Sequence, residues 1–282
     1  MTWLPDKAAQ RLKDNPQALK WMEGLSRQVE HLQEKWQLDK LEVLPAGLGK
    51  TTVLACRQDK KDCILKLAYD IERLALEHQS LVAWGGIYVP QIYETAEGAY
   101  LMERALPGSI WQGKTQDIVP LIEHFSMSSL PDNMQHIITA HQQAFDRLQN
   151  YNQKLTDKKL ADECQKACYK LQSLPEPGQH HLVHTDLHPY NLLAGAHGAF
   201  AIDPMMARGH FVYDAGAFAA KNNPLQIEER IRVFSNHWPQ YSDYIIAISQ
   251  IIAVEEAAVA TIYSLRSQEE ITSSLQLAER LG

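Results

Sequence analysis

The hydrophobic period of this chain changes twice along its length, and those changes restrict the fold more than any other feature. Over residues 6–38, Leu12, Leu19, Met22, Leu25, Val29, Leu32 and Trp36 recur at steps of three and four, the period of an amphipathic helix, with Pro16 placed to start a second helix. From Leu41 the period shortens. Segments 41–44, 52–57 and 63–68 read as strands, 70–84 returns to helical period, and 88–93 and 99–103 read as two more strands. Beyond Pro107-Gly108 the pattern is helical again near 116–125, 132–150, 157–172, 225–237 and 240–264, interrupted only over 182–203. A run of strands followed by a run of helices predicts an α+β chain. At 282 residues, and about 150 residues per domain, the expected division is a helical extension 1–40, a small antiparallel sheet lobe 41–105 and a mainly helical lobe 106–282.

Composition matters here for what it excludes. There are 27 basic and 34 acidic residues, a net charge of −7, so no polyanion attraction drives binding to nucleic acid or anionic lipid. Cys56, Cys63, Cys164 and Cys168 form no C-x-x-C pair, which fits reduced thiols in the cytoplasm rather than a disulfide framework or zinc ribbon. The N-terminal residues show no signal-peptide core, and no run of about 18 uncharged apolar residues occurs, so no membrane partner is expected.

The interrupting segment carries the chemistry. His184-Thr185-Asp186-Leu187-His188-Pro189-Tyr190-Asn191 has the H-x-D-x-x-x-x-N spacing of a phosphoryl-transfer catalytic loop. It runs into a hairpin pattern turning at Gly195-Ala196-His197-Gly198, which sets Asn191 and Asp203 nearly opposite at the open end, roughly 5 Å apart. An Asn and an Asp side by side, with Asp186 just upstream, make an oxygen-rich cluster suited to Mg²⁺, while a loop carboxylate can orient a hydroxyl and accept its proton. Alternatively, Asp186 and Asn191 only cap a turn and Asp203 only ends a strand.

Lys66 is the only charge in the apolar run Cys63-Ile64-Leu65-Lys66-Leu67-Ala68, and a buried ammonium needs a partner. Leu74, Glu77, Leu81 and Trp84 fall on one face of the following helix, so Glu77 sits inside its packing stripe and an ion pair is expected; the other reading is a snorkelling Lys66 and a solvated Glu77. Gly47 and Gly49 lie in a turn whose backbone N–H groups could cover phosphates, although plain hairpin chemistry explains them equally. The segment ends in Gly49-Lys50-Thr51 but has Leu44 where a Walker loop requires glycine. His184 and His188, four apart around Pro189, read as hydrogen bonders bracing the loop rather than as zinc ligands. Asp214 either accepts N–H bonds from that loop or caps the helix after it.

These residues resemble the aminoglycoside phosphotransferase and choline kinase superfamily of kinase-like proteins, and within it the aminoglycoside and hydroxyurea resistance kinases that include streptomycin 6-phosphotransferases. The similarity runs from Glu34-Lys-Trp-Gln-Leu38 through Ile64-Leu-Lys-Leu67, Glu77 to Gly86, Leu101-Met-Glu-Arg104, Pro107-Gly108, the Asp186 loop and Ile202-Asp-Pro204 to Tyr213-Asp214. It implies a bilobal protein-kinase-like fold with Asp186 as catalytic base, Asn191 and Asp203 as Mg²⁺ ligands, Lys66 with Glu77 as phosphate clamp, and the Glu103 to Ala105 backbone as adenine hinge. It also implies ATP or GTP as donor and a small-molecule hydroxyl as acceptor, in a monomer or homodimer. The acceptor expected first is antibiotic-like; choline, thiamine or another amino alcohol is the alternative, as is a nucleotide-binding pseudokinase. Thr185 departs from the glycine common at that place, and Met205-Met206 follow Asp203-Pro204 where lysine or glycine is frequent. No Arg precedes Asp186 and no D-F-G segment occurs, which argues against a protein kinase. Glu255-Glu256, with the net acidic charge, suggest a cationic acceptor.

Overall fold

The computed structural model describes residues 3–4, 9–10, 12–44, 50–57, 61–128, 130, 136–221, 224–265, 271–272 and 275–276. Two compact units divide the chain at Gly108 and Ser109.

In the first unit, helix α1 (Pro16–Lys35) begins where Asn15 Oδ1 accepts from the amides of Gln17 and Ala18 at 3.0 and 3.1 Å and Pro16 occupies the first turn. Its buried stripe is Ala18, Leu25, Val29 and Leu32; Leu19, expected to belong to it, lies at the edge and is exposed. Strands β1 (Leu38–Leu44), β2 (Lys50–Arg57), β3 (Asp62–Ala68), β4 (Ile92–Ala96) and β5 (Ala99–Glu103) form one antiparallel sheet in the order β1-β2-β3-β5-β4. Cys63, Leu65 and Leu67, alternating along β3, join Leu101 of β5 and the α1 stripe in one apolar core. Each leucine enclosed there contributes roughly 1.5–3 kcal/mol. The helical segment expected as an extension is therefore packed into the core of the first unit.

Helix α2 (Ile71–Trp84) is capped by Asp70, which accepts from the Arg73 amide, and is ended by Gly85 in the left-handed region at φ 78°. The strand expected over 88–93 forms later, as β4, because Gly85 and Gly86 both turn left-handed and Pro90 has no amide to donate.

The second unit contains α3 (Val119–Met127), α4 (Ala140–Asn152), α5 (Lys158–Ser173), α6 (Val212–Ala220), α7 (Ile227–His237) and α8 (Ser242–Ile262). Two small antiparallel pairs interrupt the helices: β6 (His181–Val183) with β9 (Ala207–Gly209), and β7 (Leu192–Gly195) with β8 (Gly198–Ala201). Helix α6, expected only as the helix that Asp214 would cap, shows no amphipathic period, because all nine of its residues are buried. It lies against α8 so closely that a Cβ on Gly216 would stand 2.8 Å from Cβ of Ile248, and Ser249 Oγ donates to the Gly216 carbonyl at 3.1 Å. Helix α8, with its lead-in from Pro239, is long and apolar enough to cross a bilayer, yet 72% of that window is buried as it packs on α4, α5, α6 and α7.

Candidate active site

The loop 184–191 leaves β6 and enters β7, and its path is fixed from three sides. Asp214, in the first turn of α6, accepts from the amides of His184 at 2.7 Å and Thr185 at 2.8 Å, the first of the two roles its position allowed. Burial pushes Asp214 up to about 7, while those two N–H groups oppose the rise. The buried His184 ring donates through Nε2 to the Ile202 carbonyl at 3.0 Å and stacks near Phe125. Burial lowers it to about 4, so it stays neutral at physiological pH. Met205 N–H, in turn, donates to the His184 carbonyl at 3.0 Å, tying the segment after Asp203 to the loop. Thr185 adopts φ 57°, a left-handed conformation in which a β-branched residue is strained, and its buried Oγ1 has no hydrogen-bond partner.

At the centre is Asp186. Its Oδ1 accepts from Lys221 Nζ at 2.5 Å, and its Oδ2 accepts from Asn191 Nδ2 at 3.2 Å. Asn191 Nδ2 also donates to the Asp186 carbonyl at 3.0 Å. His188 Nδ1 accepts from the Tyr190 amide, which leaves the Nε2 proton facing Asp186 Oδ2 at 3.7 Å. Burial alone would raise Asp186, but the Lys221 ammonium, helped by His188, holds its carboxyl well below the usual carboxylate range. The Asp186 side chain is still 27% exposed.

The hairpin turns about the expected centre, between Ala196 and His197. Leu192 pairs with Ala201 and Gly195 with Gly198, so Asn191 faces Ile202, whose amide donates to the Asn191 carbonyl at 2.9 Å, and Asp203 follows one position on. Ala196 and His197 are the two turn residues, and Asp203 turns left-handed at φ 59°. With Asn191 Nδ2 committed to Asp186, its Oδ1 is the ligand-capable atom, and the Asp203 carboxylate is the second. These are hard oxygen donors of the kind Mg²⁺ takes from proteins, one or two at a time with waters and phosphates completing the shell. Among the described residues no three His, Cys, Asp or Glu side chains gather to hold a metal on their own.

In the first unit, Lys66 and Glu77 form the expected ion pair, at 1% and 2% exposure, and Tyr100, the β5 neighbour of Lys66, donates its hydroxyl proton to Glu77 Oε1 at 2.7 Å. Glu103 ends β5, where its amide donates to the Gln91 carbonyl at 2.8 Å and its Oε2 accepts from the Gln91 amide at 3.2 Å; Ala105 follows, buried. Gly47 and Gly49 lie outside the described residues.

Glu255 does not take the role that the sequence suggested for it. Glu255 is buried on α8 and holds Arg147 of α4 through both oxygens at 2.6 and 3.1 Å, so it is a structural anion rather than a contact for an acceptor. Glu229 instead lines a cavity of about 520 Å³ in the second unit, together with Trp111, Thr115, Pro189, Phe218 and Arg230. Pro189, three residues after Asp186 in the same loop, is part of that lining. Lys221 and Arg230 also went unnoticed, since a cation ending one helix and another within the next look like ordinary surface charges.

No protein-family model matches the sequence, and no curated protein sequence does. Among solved structures, a thermostable mutant of the aminoglycoside phosphotransferase APH(4)-Ia, in ternary complex with ADP and hygromycin B, aligns over 89% of this chain and 96% of its own with a TM-score of 0.65 at 13% identity. An amicoumacin kinase in complex with AMP-PNP, Ca²⁺ and its ligand aligns over 90% and 92% at 0.64 and 14%. A putative fructosamine-3-kinase from Thermobifida fusca aligns over 89% and 98% at 0.61 and 15%. At such low identity the likeness is one of fold, and the chain has the α+β, bilobal kinase-like fold of these structures.

Proposed function

We propose that the protein is a small-molecule kinase that transfers the γ-phosphoryl group of ATP or GTP directly to a hydroxyl of its acceptor. The observation that carries this reading is the state of Asp186: ionised, held at both oxygens and yet partly exposed. A carboxylate so restrained can accept a hydrogen bond from an acceptor hydroxyl, aim its oxygen at the phosphoryl group and take its proton as the bond forms. Asn191 Oδ1 and Asp203 would hold Mg²⁺, which when bound neutralises charge on the phosphates. Lys66, directed by Glu77, would pair with the α and β phosphates, and the Glu103 to Ala105 backbone would meet the base. The glycine turn of Gly47 and Gly49 would cover the phosphates.

The acceptor is proposed to enter by the Trp111–Glu229 cavity, whose lining offers an aromatic face and both charges, the Glu229 carboxylate beside Lys114 and Arg230. An antibiotic of the aminoglycoside or hydroxyurea class remains the leading acceptor, in keeping with the hygromycin B and amicoumacin complexes of similar fold. A metabolite amino alcohol is the second reading, favoured by the fructosamine-kinase likeness. A nucleotide-binding protein without turnover fits less well, because Asp186, Asn191 and Asp203 are all present. The test is incubation of purified protein with Mg²⁺ and ATP or GTP against aminoglycosides, hydroxyurea and amino alcohols, followed by the mass of the product. A gain of one phosphoryl group, abolished by Asp186→Asn, is expected; nucleotide binding with no transfer to any of them would favour the non-catalytic reading.

A further inference from the structure

Lys221 sits at the C-terminal cap of α6, and its side chain is only 7% exposed. An ammonium so enclosed is costly unless its charge is met, and the charge that meets it is Asp186, with the Thr185 carbonyl a second acceptor at 3.4 Å. The enclosure is lopsided: the cation is covered while the carboxylate keeps an open face. Asn191 restrains the other carboxylate oxygen, so rotation about the end of the Asp186 side chain is opposed from both sides.

The way Lys221 is delivered points the same way. Asp214 and Lys221 are seven residues apart, two helical turns, and so lie on one face of α6 about 10 Å apart along its axis. The first grips the backbone of the loop and the second grips the side chain of its aspartate. Arg230 of α7 then secures the end of α6: its guanidinium donates to the carbonyls of Phe218 at 3.1 Å and Lys221 at 3.0 Å, lies over the Phe218 ring at 4.8 Å from its centroid, and donates to Gln226 Oε1 at 2.8 Å. Those carbonyls belong to the last turn, where a helix has no partners of its own to offer.

We propose that Lys221 is a positioning residue for phosphoryl transfer, clamping Oδ1 of Asp186 so that the carboxylate presents one fixed oxygen to the acceptor hydroxyl, with Arg230 setting where Lys221 stands. The inference rests on the reading of Asp186 given above. It predicts an effect on turnover and none on nucleotide binding.

The experiment uses the full chain with MgATP, and the probe acceptors are water, read as slow ATP hydrolysis, and whichever panel compound gains a phosphoryl group. Lys221→Met should lower kcat about 10- to 100-fold with nucleotide KM, and calorimetric affinity for a non-hydrolysable ATP analogue, within two-fold of the parent. Lys221→Arg should recover most of the loss, which a purely structural gap would not require. Adding Lys221→Met to Asp186→Asn should cost less than a further two-fold, because the lysine acts through the aspartate. Lys221→Gln, of similar length and uncharged, replaces Lys221→Met if the latter does not fold. Additive losses, or a raised nucleotide KM at unchanged kcat, overturn the proposal. Parental kcat in Lys221→Met with an inactive Asp186→Asn also overturns it while leaving the functional reading intact. Parental turnover in Asp186→Asn itself overturns both.

Discussion

Each compact unit contains a lysine paired with a carboxylate, and the two pairs differ in what they leave open. Lys66 and Glu77 have side chains 2% and 1% exposed, and Tyr100 adds a second donor to the same Glu77 oxygen. Lys221 is covered at 7%, but Asp186 is not, at 27%. A pair closed on both sides fixes the position of its members, here the lysine proposed to meet the phosphates, whereas a pair closed around the cation leaves an anion of fixed orientation at the surface. The first is a strut with a charge inside it; the second is a mount for a working group.

Breaking the mount should give the larger effect on chemistry. Asp186→Asn is expected to lower turnover by roughly two to four orders of magnitude, the range for losing a general base, with nucleotide affinity nearly unchanged. Single-turnover kinetics beside calorimetry would show whether chemistry and binding separate in this way. If both fell together, Asp186 would belong with the nucleotide-binding residues.

Breaking the strut should register first in stability. Glu77→Ala leaves the Lys66 ammonium buried without its counter-charge, at a cost of about 3–5 kcal/mol, whereas Lys66→Met with Glu77→Leu removes both charges and should lie close to the parent or above it. Urea unfolding of the three proteins would sharpen the contrast; a double variant as unstable as Glu77→Ala would mean that packing, not charge, is what the pair supplies.

Acid should separate the units further. His141, His184 and His210, all in the second, are each held neutral by burial at about 4. A folded pKa below the unfolded 6.5 means that the stabilisation is complete above pH 6.5 and is lost as pH falls toward 4, by up to about 3 kcal/mol for each ring. Asp214 works in the opposite sense: raised to about 7, it favours the folded state as pH drops from 7 toward 3.8 and offsets roughly one histidine. Hydrogen exchange at pH 4.5 should therefore show amides of α4, α6 and α8 losing protection before those of β3 and β5. Equal loss in both units would contradict the histidine account.

The smallest effect is expected at Thr185. Glycine accepts φ 57° without strain and removes a buried, unpartnered hydroxyl, which together should outweigh its greater chain entropy and stabilise by about 1 kcal/mol or less. A small rise in Tm at unchanged kcat is the outcome to look for; a fall would mean that the threonine methyl is needed for packing.

The strut was legible in the sequence and most of the mount was not. Lys66 stands out because a single charge interrupts an apolar alternation, and Glu77 because it shares a helical stripe with Leu74, Leu81 and Trp84. Asp186 and Asn191 were visible through their spacing. Lys221 has no such contrast: it caps a helix that is buried on every side, so its importance shows in no period. Its pairing with Asp186 spans 35 residues and exists only once α6 is packed.

Gln143 illustrates how such a framework can leave room for change. Its side-chain amide donates to the carbonyls of Met205 and Met206, both at 3.1 Å, while its Oε1 is steadied by Arg147, which Glu255 holds in place. What is gripped is main chain, two and three residues after Asp203, and a main-chain carbonyl is present whatever amino acid stands there. Position 205, half-buried and with an ordinary backbone conformation, can thus be exchanged without loosening the hold on the segment that carries Asp203. In evolutionary terms the anchor is blind to side-chain identity, so position 205 can drift while the segment that carries Asp203 stays where it is.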